Sequence, residues 1–367
     1  MDAGELLRHL VEKGGSDLHL KVGSPPFLRV DGALVPAQFP PLSAPDTESL
    51  AAELLPMKKS MAFSETSEAD FGYTLAGVGR FRVNVFRQRG LVGLAVRRVR
   101  SEVPTIDELR LPAVVETMAG LPRGLVLVTG PAGTGKTTTI ASMIGHINNT
   151  RRAHIVTIED PIEVIHEDVM SIIDQREVGI DTMSFGAALR AVVRQDPDVI
   201  FVGEIRDAIS AESAIQAAET GHLVISTLHT IDATETVNRV IDLFPSGHQA
   251  QVRVSFAVAL RGIVSQRLVP RADGRGRVPA VEVLVNNGRI QERIMDPSMT
   301  GEITEVMADS DFYGMQTFDQ SLVRLVMEGL ATEEDAREAS THPHDFMLAM
   351  KAARMRAASA QSAVSAN

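Results

Sequence analysis

Residues 130–137 read Gly130-Pro131-Ala132-Gly133-Thr134-Gly135-Lys136-Thr137, with glycines, a lysine and a hydroxyl at the spacing G-x-x-x-x-G-K-[ST]. Each residue type answers a need of a bound triphosphate. Glycines let successive backbone N–H groups turn inward into an anion-binding nest with no Cβ in the way. The lysine is placed to bridge the β- and γ-phosphates, and the threonine hydroxyl to ligate Mg²⁺. An apolar run at 125–128 precedes the octet and a helical pattern at 138–147 follows it, so the phosphates would also meet a helix N-terminus. The spacing therefore predicts ATP with Mg²⁺ on residues 130–137, with Thr138 opening the helix beside them. The competing reading, a glycine-rich turn in a Rossmann-like fold, does not need Lys136 and Thr137 side by side.

Three later stretches end apolar runs in groups that could act on that triphosphate. Asp198-Val199-Ile200-Phe201-Val202-Gly203-Glu204 reads as a buried strand closing on an acid. Ligands of open α/β sheets gather at the carboxyl ends of strands, so Glu204 is expected beside the Mg²⁺. A second strand, 154–158, runs into Glu159, Asp160 and Glu163. Hydrolysis needs one carboxylate to orient or deprotonate water, and spacing does not choose among these three. A third strand, 223–225, has His222 at its start and His229 beyond its end; His229 is expected to meet the γ-phosphate by hydrogen bonding.

Arginines are dense in the N-terminal half, at Arg80, Arg82, Arg87, Arg89, Arg97, Arg98 and Arg100. Such a run on strands is ordinarily a solvated face. A ring-shaped ATPase needs an arginine supplied in trans against the transition-state charge, and Arg82 and Arg98 are the candidates for it. Arg190 and Arg194 are spaced one helical turn apart, which suits interface contacts or salt bridges within the subunit equally.

The elements that must position these groups divide the chain. Residues 1–100 alternate polar and apolar at 17–22, 27–30 and 80–87 behind an amphipathic helix at 5–13, a pattern of mostly antiparallel sheet with helices on one face. Asp31-Gly32 reads as a hairpin turn. Residues 101–112, polar and holding two prolines, are the expected linker. From 113 to 350, continuous apolar runs at 125–128, 155–158, 199–202 and 223–225 alternate with helical stretches. That is the signature of a doubly wound α/β core with parallel strands buried on both faces. Beyond about 246 the pattern turns mainly helical, and the small, polar tail at 351–367 is expected to be disordered.

Composition removes several functions. With no cysteine there are no disulfides and no thiolate metal sites, which suits a cytoplasmic protein. No apolar run of about 18 residues exists to span a membrane, and the N-terminus lacks the uncharged core of a signal peptide. A net charge of −11, no tryptophan and two tyrosines argue against a nucleic-acid partner, which would want phosphate-neutralising cations and stacking rings.

Taken together, GGSDLH (14–19), GRFRVN (79–84), the phosphate loop, TIEDPIE (157–163), RQDPDVIFVGEIRD (194–207), TGHLVISTLHT (220–230) and the later GMQT (314–317) resemble one family. It is the secretion-ATPase superfamily, and within it the twitching-motility ATPases that retract type IV pili. The likeness covers roughly residues 4–345. It implies a PAS-like α+β N-terminal domain, a RecA-like P-loop ATPase core, assembly as a homo-hexamer, and a site between the domains reached by N-terminal arginines. It also implies roles: Glu204 as the Walker B acid, Glu163 as the catalytic glutamate with Glu159 and Asp160 in support, and His222 with His229 as a histidine pair. The implied partner is an inner-membrane pilus platform protein, engaged peripherally at the cytoplasmic face. Secretion and extension ATPases of the superfamily usually carry a four-cysteine zinc element, so the absence of cysteine points to the retraction branch. Where that branch usually has an AIRNLIRE-like helix, residues 288–295 keep the amphipathic spacing and not the string. The alternatives within reach of the same motifs are an accessory or assembly ATPase, a low-turnover nucleotide-gated scaffold, and a nucleic-acid translocase.

Overall fold

The computed structural model describes residues 2–30, 32–99 and 103–365. Asp31 of the expected hairpin turn, Arg100, the first two residues of the expected linker and the last two of the tail lie outside the described residues. The protein is α/β with two sheets, and the chain forms two compact units.

The first unit takes Met1–Val103 together with Ile158–Glu167 and Gln175–Ala188. It therefore holds two segments that the sequence pattern assigns to the later domain. Its six strands are β1 (Asp17–Leu20), β2 (Phe27–Val30), β3 (Ala33–Pro36), β4 (Glu68–Leu75), β5 (Gly79–Gln88) and β6 (Leu91–Arg98), in the order β3-β2-β1-β6-β5-β4 and antiparallel throughout. Alternation along β5 buries Phe81, Val83 and Val85 and turns Arg80, Arg82 and Asn84 to the other face. Helix Ala3–Glu12 adds Leu6, Leu7 and Leu10 to the same core, with Asp2 capping its N-terminus.

A seven-stranded sheet, in the second unit except for the last two residues of β8 and the last three of β9, is made of β7 (Gly124–Thr129), β8 (His154–Glu159), β9 (Ile172–Glu177), β10 (Val199–Val202), β11 (Leu223–Leu228), β12 (Leu260–Pro270) and β13 (Arg277–Val285). The order is β13-β12-β7-β11-β10-β8-β9, with β12, β7, β11 and β10 parallel and β13 antiparallel to β12. The continuous apolar runs are the central strands, buried along their whole length. The expectation of a mainly helical region after 246 is corrected by β12 and β13. They form a long hairpin whose turn holds Asp273-Gly274, with Gly274 at positive φ, and whose polar Ser265, Gln266 and Glu282 break the apolar run that marks the other strands. The helix predicted at 138–147 runs from Lys136 to Thr150. The expected disordered tail is likewise corrected: helix Pro343–Ser365 continues through it, in keeping with the high helix propensity of its Ala, Met, Arg and Lys residues.

Candidate active site

In the second unit the phosphate-loop octet is the turn between β7 and helix Lys136–Thr150. Strand β12 backs it: the Thr129 hydroxyl donates to Ser265 Oγ at 2.9 Å, and Gln266 Nε2 donates to Thr139 Oγ1 at 2.8 Å. A Cβ at Gly130 (φ 143°) would lie 2.6 Å from both the Gln266 carbonyl oxygen and the Thr134 hydroxyl, so only glycine fits there. Gly135, at φ 91°, turns the chain into the helix. Pro131, Ala132 and Gly133 are exposed, and nothing stands within 4 Å of a Cβ built on Gly133, so the nest is open above.

Lys136 is buried, and its Nζ donates to the carbonyls of Gly130 at 2.6 Å and Pro131 at 3.0 Å. The ammonium is thus folded over the loop by loop carbonyls. His229, one residue past the end of β11, has Nδ1 3.5 Å from Lys136 Nζ and Nε2 3.5 Å from Glu204 Oε2. An ammonium can only donate, so the tautomer that suits both contacts has Nδ1 as acceptor and the ring hydrogen on Nε2, facing the carboxylate. Glu204 also pairs with Arg206, and its segment is tied to β11 by Ile205 N–H to the Thr227 carbonyl (3.1 Å) and Thr227 Oγ1 to the Gly203 carbonyl (2.6 Å). Three residues picked from separate stretches of sequence therefore meet in one line: cation, imidazole, anion.

The donor set suits an anionic phosphate chain: the N–H groups of a glycine-rich turn, an ammonium and a helix N-terminus. The Thr137 hydroxyl and the Glu204 carboxylate are hard oxygen ligands of the kind Mg²⁺ takes alongside phosphates. Beside the loop, a cavity of about 220 Å³ is lined by Thr134, Gly135, Thr138 and Leu268 together with Leu109 and Leu111. His222 is not part of this cluster. It sits at the start of β11, where its Nδ1 donates to the Ala217 carbonyl at 2.9 Å. The six residues of β11 lie between it and His229, a separation of about 23 Å at the usual strand rise.

Apart from Arg190 and Arg194, the remaining candidates lie in the first unit. Arg82 forks onto Asp70, with Nε 3.2 Å from both carboxylate oxygens and Nη2 2.5 Å from Oδ2, and its Nη1 is 3.5 Å from Glu163. The arginine candidate and the base candidate are thus neighbours, both partly exposed. Arg98 pairs in register with Phe81 and Arg82 with Arg97, so Arg82 and Arg98 leave the sheet on opposite faces. Glu159 is buried and accepts a hydrogen bond from Gln175 Nε2 at 3.1 Å; Asp160 is exposed beside it. Arg190 lies on helix Phe185–Val192, and Arg194 falls in the turn after it, so the two do not share a helix face.

Sequence reasoning missed Asp70, Gln175, Glu177, Arg206 and Gln266. Arg206 stands two residues after Glu204, and Gln175 and Glu177 alternate on one strand. Those spacings were the available signal, but the partners of most of them are distant in the chain.

Residues 105–354 match the family model described as "Type II/IV secretion system protein". The chain is 42% identical, over 94% of its length and all of the relative's, to the "Type IV pilus retractation ATPase PilT" of Pseudomonas aeruginosa. It is also 42% identical, over 96% of its length and 92% of the relative's, to the "Type IV pilus ATPase PilU" of the same organism. A crystal structure of the pilus retraction motor PilT with bound ADP superposes with a TM-score of 0.86 at 46% identity, covering 94% of this chain and 98% of that one.

Proposed function

The chain belongs to the type II/IV secretion system protein family, and from that premise we propose that it is the ATP-driven motor that retracts a type IV pilus, working as a homo-hexamer. The observation that carries the ATPase reading is the line Lys136–His229–Glu204 at the mouth of a glycine loop that can hold no side chain at Gly130.

On this reading residues 130–137 bind the phosphates of ATP. Lys136 exchanges its loop carbonyls for β- and γ-phosphate oxygens, and the cavity beside Thr138 takes the base. Thr137 and Glu204 would hold Mg²⁺, which when bound would neutralise phosphate charge. His229, carrying its hydrogen on Nε2, is oriented by Glu204 and reports on the γ-phosphate through Lys136. Glu163 draws the proton from the attacking water, and Arg82, released from Asp70, stabilises the transition-state charge. Work comes from different affinities of the motor's states for ATP and for products. It is delivered to a platform protein at the cytoplasmic face of the inner membrane. Among the described residues no helix is long and apolar enough to cross a membrane, which suits peripheral engagement.

Phosphate release by the purified protein tests the reading. Glu163→Gln is expected to lower kcat by about 100-fold or more, in the range of lost general-base catalysis, while nucleotide still binds. Equal rates for the variant and the wild type would overturn Glu163 as base, and wild-type protein that neither binds nor hydrolyses ATP would end the motor reading. The equal identity to the PilU-named relative favours a second reading, an accessory motor of the same pilus machinery.

A further inference from the structure

We propose that Glu177 is a positioning residue for ATP hydrolysis: with Gln175 it fixes the acidic loop carrying Glu163 to the N-terminal sheet, so that the base travels with that sheet. The proposal rests on Glu163 as the base. Gln175 and Glu177 lie two apart at the end of β9 and so project to one side of it. Gln175 uses both ends of its amide on the loop. Its Nε2 donates to Glu159 Oε1 at 3.1 Å and to the Val164 carbonyl at 2.8 Å, and its Oε1 accepts from His166 N–H at 2.9 Å. Glu177 accepts from Ile162 N–H, the residue before Glu163, at 3.2 Å. The loop is thus gripped on both sides of Glu163.

The far side of Glu177 belongs to the N-terminal sheet. Its other oxygen accepts from Gly72 N–H on β4 at 2.8 Å, and it forms an ion pair with Arg80 of β5. The Glu177 residue is 1% exposed, and its charge is kept in the interior only because its oxygens are taken by a guanidinium and two N–H groups. Gly72 leaves the room: a Cβ there would come 2.6 Å from Glu177 Oε2 and would also meet the Arg80 guanidinium. The sheet therefore has a glycine, an arginine and a backbone N–H aimed at one buried acid from a segment about a hundred residues away in the chain. Nothing in hydrophobic packing requires that set. A rigid connection between the sheet and the loop does.

The test uses the full-length protein, with ATP titrations of phosphate release and amide hydrogen exchange on Glu177→Gln, Gln175→Ala, Gly72→Ala and Glu163→Gln. Glu177→Gln keeps the shape and loses the pairing. Its kcat is expected to fall about 10–100-fold with KM for ATP within about twofold, as for a base displaced by about an ångström. The amides of Ile162 and His166 are expected to exchange faster while the rest of the N-terminal unit keeps its protection. Should Glu177→Gln fail to fold, Gly72→Ala strains the same ion pair with every charge in place and is expected to show the same split. If Glu163→Gln turns over like wild type, the base assignment fails and this proposal with it. If Glu163→Gln is inactive while Glu177→Gln and Gly72→Ala keep wild-type kcat and loop protection, the positioning role alone is wrong. Equal losses in kcat, ATP affinity and thermal stability would likewise overturn it, since they would mark a merely structural acid.

Discussion

His229 shows how much meaning one side chain takes from its neighbours: between an ammonium and a carboxylate, one tautomer suits both contacts, with the hydrogen on Nε2. A buried acid elsewhere in the second unit makes a sharper prediction. Burial pushes the Glu282 carboxyl up to about 7, against hydrogen bonds from Ala233 N–H (2.8 Å) and Phe318 N–H. Those are the first residues of helices Ala233–Asp242 and Phe318–Met327. Asp232 repels the charge and Arg267 attracts it. A carboxyl whose pKa is higher folded than unfolded favours the fold most below its unfolded value, and that contribution is lost as pH rises through the folded one. Wild type should therefore lose stability relative to Glu282→Gln between about pH 4.5 and 7, by on the order of 3 kcal/mol at about 1.4 kcal/mol per unit. Thermal melts of both proteins from pH 5 to 8 check it; a gap in Tm that widens in favour of wild type with rising pH would refute it. His166 works in the opposite sense and is common to both proteins: burial pushes its imidazole down to about 4, so its contribution is lost as pH falls from about 6.5. At this scale the residues legible in sequence were those whose chemistry is written in a contiguous string, such as Lys136 and Glu204. Glu177, Gln175 and Glu282 were not, because a lone carboxylate or amide acquires its role only from partners far along the chain.

Elements follow the same division. The central strands announced themselves because burial on both faces leaves only continuous apolar runs, as in β7 and β11. Strands β12 and β13 did not, since they carry Ser265, Gln266 and Glu282 inward to serve the phosphate loop and the helix N-termini. The first of the two segments that join the first unit was legible as chemistry, in TIEDPIE, but the placement of neither was, because both lie far along the chain from the N-terminal sheet. Strand β12 can be tested through Gly262, where its register against β7 shifts. A Cβ at Gly262 would lie 2.9 Å from the Leu284 carbonyl of β13 and would collide with the end of the Met118 side chain. The methionine can swing away but the backbone carbonyl cannot, so β12 must move off β13. Gly262→Ala is expected to destabilise the protein by about 1–3 kcal/mol, as for overpacking of a close-packed interior. It should lower the urea midpoint with m unchanged, and because β12 backs the loop through Ser265 and Gln266, it should also weaken nucleotide binding. An unaltered midpoint would show that the hairpin absorbs a methyl group at no cost.

For the whole molecule, the question left by equal identity to two differently named motors is which work the ATPase performs. The chain has no cysteine, and helix Gly288–Met295 has an amphipathic burial, with Ile290 and Ile294 inside. Neither feature fixes the direction of movement, because direction is a property of how states are ordered around a ring and coupled to a partner, not of any one side chain. Deletion in the host separates the readings by their effect on a steady state. Surface pili are the balance of extension and retraction, so removing the principal retraction motor leaves extension unopposed: more pili per cell and no twitching. That is the expected outcome, and Lys136→Ala supplied in place of wild type should reproduce it, since the phosphate loop cannot then hold ATP. An accessory motor would leave pilus number near normal and reduce motility only in part, and bald cells would assign the chain to assembly instead. Counting pili by electron microscopy in the deletion strain, and in the strain restored with Glu163→Gln, ties the cellular phenotype to hydrolysis itself: piliation that returns to normal with a hydrolysis-dead chain would mean that binding ATP, not spending it, is what the machinery needs.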